Sequence, residues 1–106
     1  MTTVQQSFPV PPQALWNALP AGVAAIGGQG PFYDSQKGFV SCRTGMSMLS
    51  WGQDVTVTVV PAQGGSTLTV LSKLKFGLYD WGEGNRLGTR FAAAVAQAAG
   101  TAPVPA

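Results

Sequence analysis

The chain has 106 residues and a net charge of +2, from six Lys or Arg and four Asp or Glu, with one Cys and no His. This length fits one domain. The absence of histidine excludes Ser-His-Asp and Cys-His catalytic arrangements. A single thiol cannot build a zinc site or an intrachain disulfide. The cations fall in three separated pairs, and no apolar run approaches the ~20 residues of a membrane span. We therefore predict a soluble, cytoplasmic protein with no enzymatic activity, no cofactor, no metal, no nucleic-acid partner and no membrane partner.

The N-terminal third of the chain predicts a strand, a helix and a second strand. Residues 2–8 (TTVQQSF) begin with β-branched side chains, which favour a strand. Prolines follow, and residues 13–19 place their apolar side chains on one helical face, which predicts a short helix that Pro20 ends. Residues 22–26 (GVAAI) are predicted as a strand, followed by a glycine-rich turn at 27–31.

The middle of the chain predicts antiparallel strands. Residues 36–44 alternate between a wetter and a drier face, as a half-buried strand does. Residues 45–52 fit either a strand extension or a turn. Residues 54–60 and 66–76 alternate cleanly on either side of a loop at 61–65, which predicts a β-hairpin. The inward row of the hairpin is predicted to comprise Val55, Val57, Val59, Leu68, Val70, Ser72, Leu74 and Phe76.

The C-terminal part predicts a helix over 86–99 that Gly100 caps, followed by a mobile tail at 101–106. The predicted core positions of this helix are Leu87, Phe91, Ala94, Val95 and Ala98. Residues 1–100 are thus expected to form one α+β domain. Its architecture is a two-layer sandwich, in which an antiparallel sheet of four or five strands carries two helices on one face, in the order β-α-β-β-β-β-α.

A strip of charge between the last strand and the last helix is the predicted partner-binding surface. It holds six of the ten charged residues, and Trp81 would serve as its aromatic anchor. The predicted contact residues are Lys73, Lys75, Tyr79, Asp80, Trp81 and Arg86. A structural interpretation of the same residues stays open: the two lysines keep an exposed strand soluble, and Asp80 or Asn85 caps the last helix.

Two other polar side chains are expected inside the protein. Ser72 falls in the inward row of the hairpin, where a hydroxyl is expected to bond to nearby backbone. Because Lys73 and Lys75 alternate to the opposite face, a catalytic Ser-Lys pair is disfavoured. Cys42 is expected to act as a small buried hydrophobe.

Two segments resemble a known group of proteins. Residues 72–82 (SKLKFGLYDWG), between a hairpin and the last helix, and the proline-flanked segment Pro12 to Trp16 resemble motifs of a bacterial family of uncharacterised small α/β domains. That resemblance implies a compact two-layer domain of bacterial origin and no known activity. A weaker, architectural similarity relates the chain to the helix-grip proteins, the START and polyketide-cyclase-like group. It implies a last helix gripped by a curved sheet, with a small apolar ligand between them.

Three hypotheses about function follow. The first is an interaction or self-assembly module, because the sparsely charged surface favours a homo-oligomer or a complex with another protein. The second is a carrier of a small apolar ligand, in a cavity lined by Val57, Leu68, Val70 and Phe91. The third is an enzyme that relies on carboxylates, which requires the few acidic side chains to converge in one cleft. We favour the first.

Overall fold

Five strands and two helices make up the part of the protein that the computed structural model describes, residues 2–45, 52–74 and 83–103. In chain order the elements are β1 (Thr2–Phe8), α1 (Pro12–Ala25), β2 (Gln29–Asp34), β3 (Phe39–Arg43), β4 (Gln53–Ala62), β5 (Gly65–Leu74) and α2 (Glu83–Ala99). The α+β class and the order β-α-β-β-β-β-α are confirmed. Within the described ranges, neither helix has the length and apolar character that a membrane crossing requires.

The strands form one antiparallel sheet in the order β1-β5-β4-β3-β2. The N-terminal strand therefore lies beside the last one, and each other strand lies beside its neighbour in sequence. One row consists of valine on four of the five strands: Val4 faces Val70, which faces Val57, which faces Val40, and Tyr33 continues the row on β2. Because residues directly opposite one another share a face, this row gives the sheet an apolar inner side.

The β4–β5 hairpin has the predicted alternation and a tighter turn than predicted. Both strands continue into the predicted loop, and only Gln63 and Gly64 form the turn. Gly64 takes a left-handed conformation with φ of +76°, which an L side chain adopts only with strain. Along β4 every second side chain, from Gln53 through Val59, is buried, and the side chains between them are half-buried or exposed.

Helix α1 corrects two predictions. It does not end at Pro20 but runs to Ala25, so the predicted strand at 22–26 is the last part of this helix. Proline in a helix interior costs about 3 kcal/mol, because it lacks the N–H group and its ring clashes with the preceding turn. The ring of Pro20 faces solvent. The buried side of the helix continues past it as an unbroken stripe, which comprises Leu15, Ala18, Leu19, Gly22 and Val23.

Strand β2 lies where a turn was predicted. It begins at Gln29, inside the glycine-rich segment, and it forms one edge of the sheet. Its pairing with β3 is irregular between Gln29 and Phe32, next to Gly30 with φ of +58° and Pro31. Irregular pairing and proline are tolerated on an edge strand, because one side of the strand has no ladder to complete.

Helix α2 begins at Glu83, three residues before the predicted start, so Asn85 lies inside the helix and does not cap it. Its buried residues are Leu87, Phe91, Ala92, Val95 and Ala96. The predicted core positions Ala94 and Ala98 are half-buried and exposed, respectively. The helix ends as predicted, at Gly100 with φ of +70°, where the Thr101 N–H donates to the Ala96 carbonyl at 2.9 Å.

The hydrophobic core lies between the inner face of the sheet and the two helices. The helices contact each other closely at Gly22, where an added Cβ would come within 2.6 Å of the Phe91 ring. Glycine is therefore required there by packing. The largest fully buried apolar side chains of this core are Phe8, Phe91, Leu15, Leu19 and Leu68.

Candidate functional site

Only part of the predicted charged strip falls within the described residues. Lys75, Tyr79, Asp80 and Trp81 lie outside them, as do Met46, Met48 and Trp51. Lys73 is exposed on β5, opposite Asp54, and Arg86 is exposed near the beginning of α2. Lys73 therefore lies on the sheet surface that faces away from the helices, and the role of the strip in binding stays a prediction.

That sheet surface, which we call the outer face, has no described helix over it. Its members follow from the register: Thr3, Gln5, Ser7, Phe32, Asp34, Phe39, Ser41, Arg43, Asp54, Thr56, Thr58, Val60, Thr67, Thr69, Leu71 and Lys73. Hydroxyl and amide groups dominate it. Across β1 and β5, the Gln5 Nε2 donates to the Thr69 Oγ1 at 3.4 Å, and the Ser7 and Thr67 hydroxyls bond to each other at 3.0 Å.

The charges of the outer face lie at its ends, and its centre is uncharged. Arg43, Asp54 and Lys73 form one row at the end where β4 begins. Near the β2 edge, Phe32 is 60% exposed and its ring centroid lies 6.3 Å from that of Phe39. Exposed Phe32 packed beside half-buried Phe39, next to a row of threonines, is a surface that another protein can cover at small cost in desolvated charge.

The inner face carries the two polar residues expected there. Ser72 is buried, and its hydroxyl donates to the Thr2 carbonyl at 3.4 Å, which confirms the predicted backbone bond. Cys42 is buried as predicted. Burial raises the pKa of the Cys42 thiol above its ordinary value of 9.0, because the charged thiolate would be poorly solvated there. These positions favour a structural role for both residues.

Gln53 is a buried polar residue that the sequence analysis missed. Its backbone is fully engaged: the Gln53 N–H donates to the Thr44 hydroxyl and the Gln53 carbonyl accepts from the Thr44 N–H, each at 2.9 Å. Its side chain is 1% exposed, and among the described residues neither its Nε2 nor its Oε1 has a hydrogen-bond partner. The sequence holds a signal for this position: Gln53 directly precedes the predicted strand and lies two residues before Val55, so strand alternation places its side chain on the inward face.

The interior between the sheet and the helices is filled where a ligand cavity was hypothesised. Val57 and Phe91 are 0% exposed, and Leu68 and Val70 are 1% exposed. A side chain that lined a cavity of the size of a water molecule would expose area to it. These four side chains therefore leave no such space between them.

The described carboxylates do not converge. The Asp34 Oδ1 accepts the backbone N–H groups of Gln36 and Lys37, at 3.1 and 3.0 Å. Asp34 faces one end of β3 and Asp54 faces the other end. Among the described residues, no three Cys, Asp or Glu side chains lie close enough together to hold a metal ion.

An open groove of about 430 Å³ lies where the beginning of α1, the β2–β3 turn and the end of β4 meet. Its lining residues are Pro12, Gln13, Trp16, Ser35, Gln36, Lys37, Gly38, Val59, Val60 and Pro61. Trp16 packs partly against the core, and its ring centroid lies 6.0 Å from that of Tyr33 in an edge-to-face arrangement. Three segments that are distant in sequence contribute to the groove, so no local motif could have predicted it.

The arrangement of a sheet around a C-terminal helix has a counterpart among solved structures. The chain is similar to the crystal structure of Ara h 8.0201, with a TM-score of 0.53 over 92% of this chain and 95% of that chain. The architecture is a helix-grip fold. Sequence identity between the two is 14%, so the likeness concerns the fold alone.

The helix-grip similarity expected from the sequence is thus confirmed as a fold. No family model matches the sequence, and a search of curated proteins finds no match. The resemblance to the bacterial family of small α/β domains stays a prediction.

Proposed function

We propose that this helix-grip domain is a non-enzymatic interaction module that self-associates through the outer face of its sheet. The observation that carries the proposal is the uncovered outer face, with an uncharged centre and the exposed Phe32 beside Phe39. Hydroxyls that keep a hydrogen-bond partner, as Ser7 and Thr67 do, are buried at a smaller cost than a surface of dispersed charges, which would have to be desolvated.

The size of the outer face limits the area that the association can bury. Five strands at ~4.8 Å spacing, with 7, 6, 5, 10 and 10 residues at ~3.3 Å per residue, give a sheet of roughly 20 Å by a mean of about 25 Å. Two copies stacked on this face would bury on the order of 1,000 Å², the lower limit for a specific interface. We therefore expect a weak, concentration-dependent homodimer.

Sedimentation equilibrium from about 10 µM to about 1 mM tests the proposal, since an interface of this size associates in that range. Thr58 is half-buried at the centre of the outer face, between Phe39 and Thr69. Thr58→Lys should weaken dimerisation at least tenfold, because a dimer would desolvate two facing ammonium groups. Gln97→Lys, at an exposed position of α2, adds the same charge elsewhere and should not affect it. A wild type that stays monomeric at 1 mM refutes the proposal.

The absence of catalysis is part of the same proposal. It is supported by the sequence, which has no histidine, and by the separation of Asp34 from Asp54 at opposite ends of β3. A buried Cys42 with a raised pKa is also a poor nucleophile, because little thiolate forms near neutral pH.

A second candidate function is the binding of a small apolar molecule, and the helix-grip fold favours it. In this fold the expected place for a ligand lies between the sheet and α2, where Val57, Leu68, Val70 and Phe91 are packed together. A ligand there would have to separate the two layers. Titration with a fluorescent fatty acid tests this function: saturable one-to-one binding with broad changes at these four residues would support it, and no binding would exclude it.

A further inference from the structure

We propose that the groove beside Trp16 binds a small aromatic carboxylate. This site lies outside the sheet–helix interior and shares Val60 with the outer face. Its volume of about 430 Å³ is within the range of small-molecule sites, which is roughly 300–1,000 Å³. It also combines an apolar wall with a single charge, which is the usual composition of such sites.

The apolar wall of the groove is rigid. Trp16 is held by its contact with the core and by the edge-to-face arrangement with Tyr33, so its indole ring cannot turn freely. Pro12 and Pro61 flank it, and Val60 is 43% exposed at the end of β4. Two prolines and a β-branched side chain lose little conformational freedom when a ligand covers them. A flat ring is the group that this wall accommodates with least loss of entropy.

The groove carries a positive charge on a turn whose backbone is held in place. Among the described residues that line the groove, Lys37 alone is charged. The turn that carries Lys37 is fixed from both sides. The Asp34 side chain accepts the Lys37 backbone N–H, and the Gly38 carbonyl accepts the Val59 N–H at 2.9 Å.

Neutral polar residues line the groove together with Lys37. Ser35, Gln36 and Gln13 line the same rim, and the Gln13 Nε2 donates to the Asn17 Oδ1 at 2.9 Å. These groups can hydrogen-bond a carboxylate without adding charge, and none of the described residues that line the groove is acidic. One anionic group at Lys37 and one ring on Trp16 together define the ligand class.

The probe for this proposal is 2-naphthoate, titrated into the ¹⁵N-labelled protein and followed by NMR. We expect saturable shifts of the Trp16 indole N–H and of the backbone amides of Lys37 and Gly38, with a dissociation constant on the order of 1 mM for a ligand of this size. The neutral analogue 2-naphthalenemethanol should bind about three- to fivefold more weakly, because it lacks the charge that Lys37 attracts.

Matched variants separate the groove from other surfaces. Lys37→Gln should weaken 2-naphthoate about three- to fivefold and leave 2-naphthalenemethanol unchanged. Lys73→Gln removes an exposed lysine outside the groove and should change neither. Gln36→Glu should weaken 2-naphthoate, whereas Gln63→Glu in the β4–β5 turn should not. The proposal is refuted by no saturation at 10-fold the expected dissociation constant, by equal binding of both probes, or by shifts confined to residues outside the groove.

Discussion

Replacement of Gln53 by methionine should stabilise the protein. The side-chain amide is 1% exposed, and both of its polar atoms lack a hydrogen-bond partner within the part of the chain that the structure describes. Methionine has a similar length and flexibility and carries no group that needs one. The two backbone bonds between Gln53 and Thr44 do not involve the side chain, so the substitution leaves them intact.

The magnitude follows from the desolvation of the amide. In the unfolded chain water bonds both atoms, whereas in the folded protein neither is bonded, and each unmet group costs about 1–3 kcal/mol. Partial relaxation of the side chain in solution reduces the sum. We therefore expect Gln53→Met to raise the free energy of unfolding by about 2 kcal/mol, which corresponds to a rise in Tm of roughly 8–16 °C for a domain of this size.

Urea denaturation followed by circular dichroism, at a concentration where the protein is monomeric, measures the change. The slope with urea should be unaltered, since the surface exposed on unfolding is nearly the same. Gln97→Met, at an exposed position of α2, is the control and should change stability by less than about 0.5 kcal/mol. Destabilisation by 1 kcal/mol or more in Gln53→Met would show that the amide is bonded in solution, and the reasoning would be wrong.

Two further predictions concern the core. Gly22→Ala should lower the free energy of unfolding by about 1–3 kcal/mol, although alanine favours a helix, because its Cβ would meet the Phe91 ring. The loss should be smaller in a Phe91→Leu background, and an equal loss in both backgrounds would contradict the contact. The free energy of unfolding should also fall as the pH rises above 9, because the Cys42 thiol of the unfolded chain releases its proton at a lower pH than the buried thiol. Urea denaturation at pH 8 and pH 10 should show a decline of at most about 1.4 kcal/mol per pH unit, and Cys42→Ala should make this decline smaller.

The sequence pattern was sufficient for the sheet centre and insufficient for the segments around it. Strict alternation in β4 and β5 predicts which side chains face inward, because a strand exposes alternate residues whatever surrounds it. For helix α1, the cost of proline in a helix predicts an end at Pro20, but this rule takes no account of the buried side chains that offset the cost. The stripe from Leu15 to Val23 runs across Pro20 at helical spacing, and it would have revealed the longer helix.

The candidate sites were harder to predict than the fold for a physical reason. The groove unites Trp16 of α1, Lys37 of the β2–β3 turn and Val60 of β4, and only the packing of α1 against the sheet brings them together. Whether the side-chain amide of Gln53 finds a hydrogen-bond partner likewise depends on the residues around it. Alternation predicts that Gln53 faces inward, but whether a partner meets it there depends on the whole interior.

The pairing of β1 with β5 has a consequence for synthesis on the ribosome. Thr2 faces Ser72 and Phe8 faces Ser66, so the first strand made must wait for the last strand of the sheet. At about 5–20 residues per second, that wait lasts roughly 3–15 seconds. Until β5 is made, Val4 and Phe8, which pack in or against the core of the folded protein, lack the β5 residues that pair with them. Nascent chains that emerge close together can therefore exchange β1 between neighbours before β5 is made.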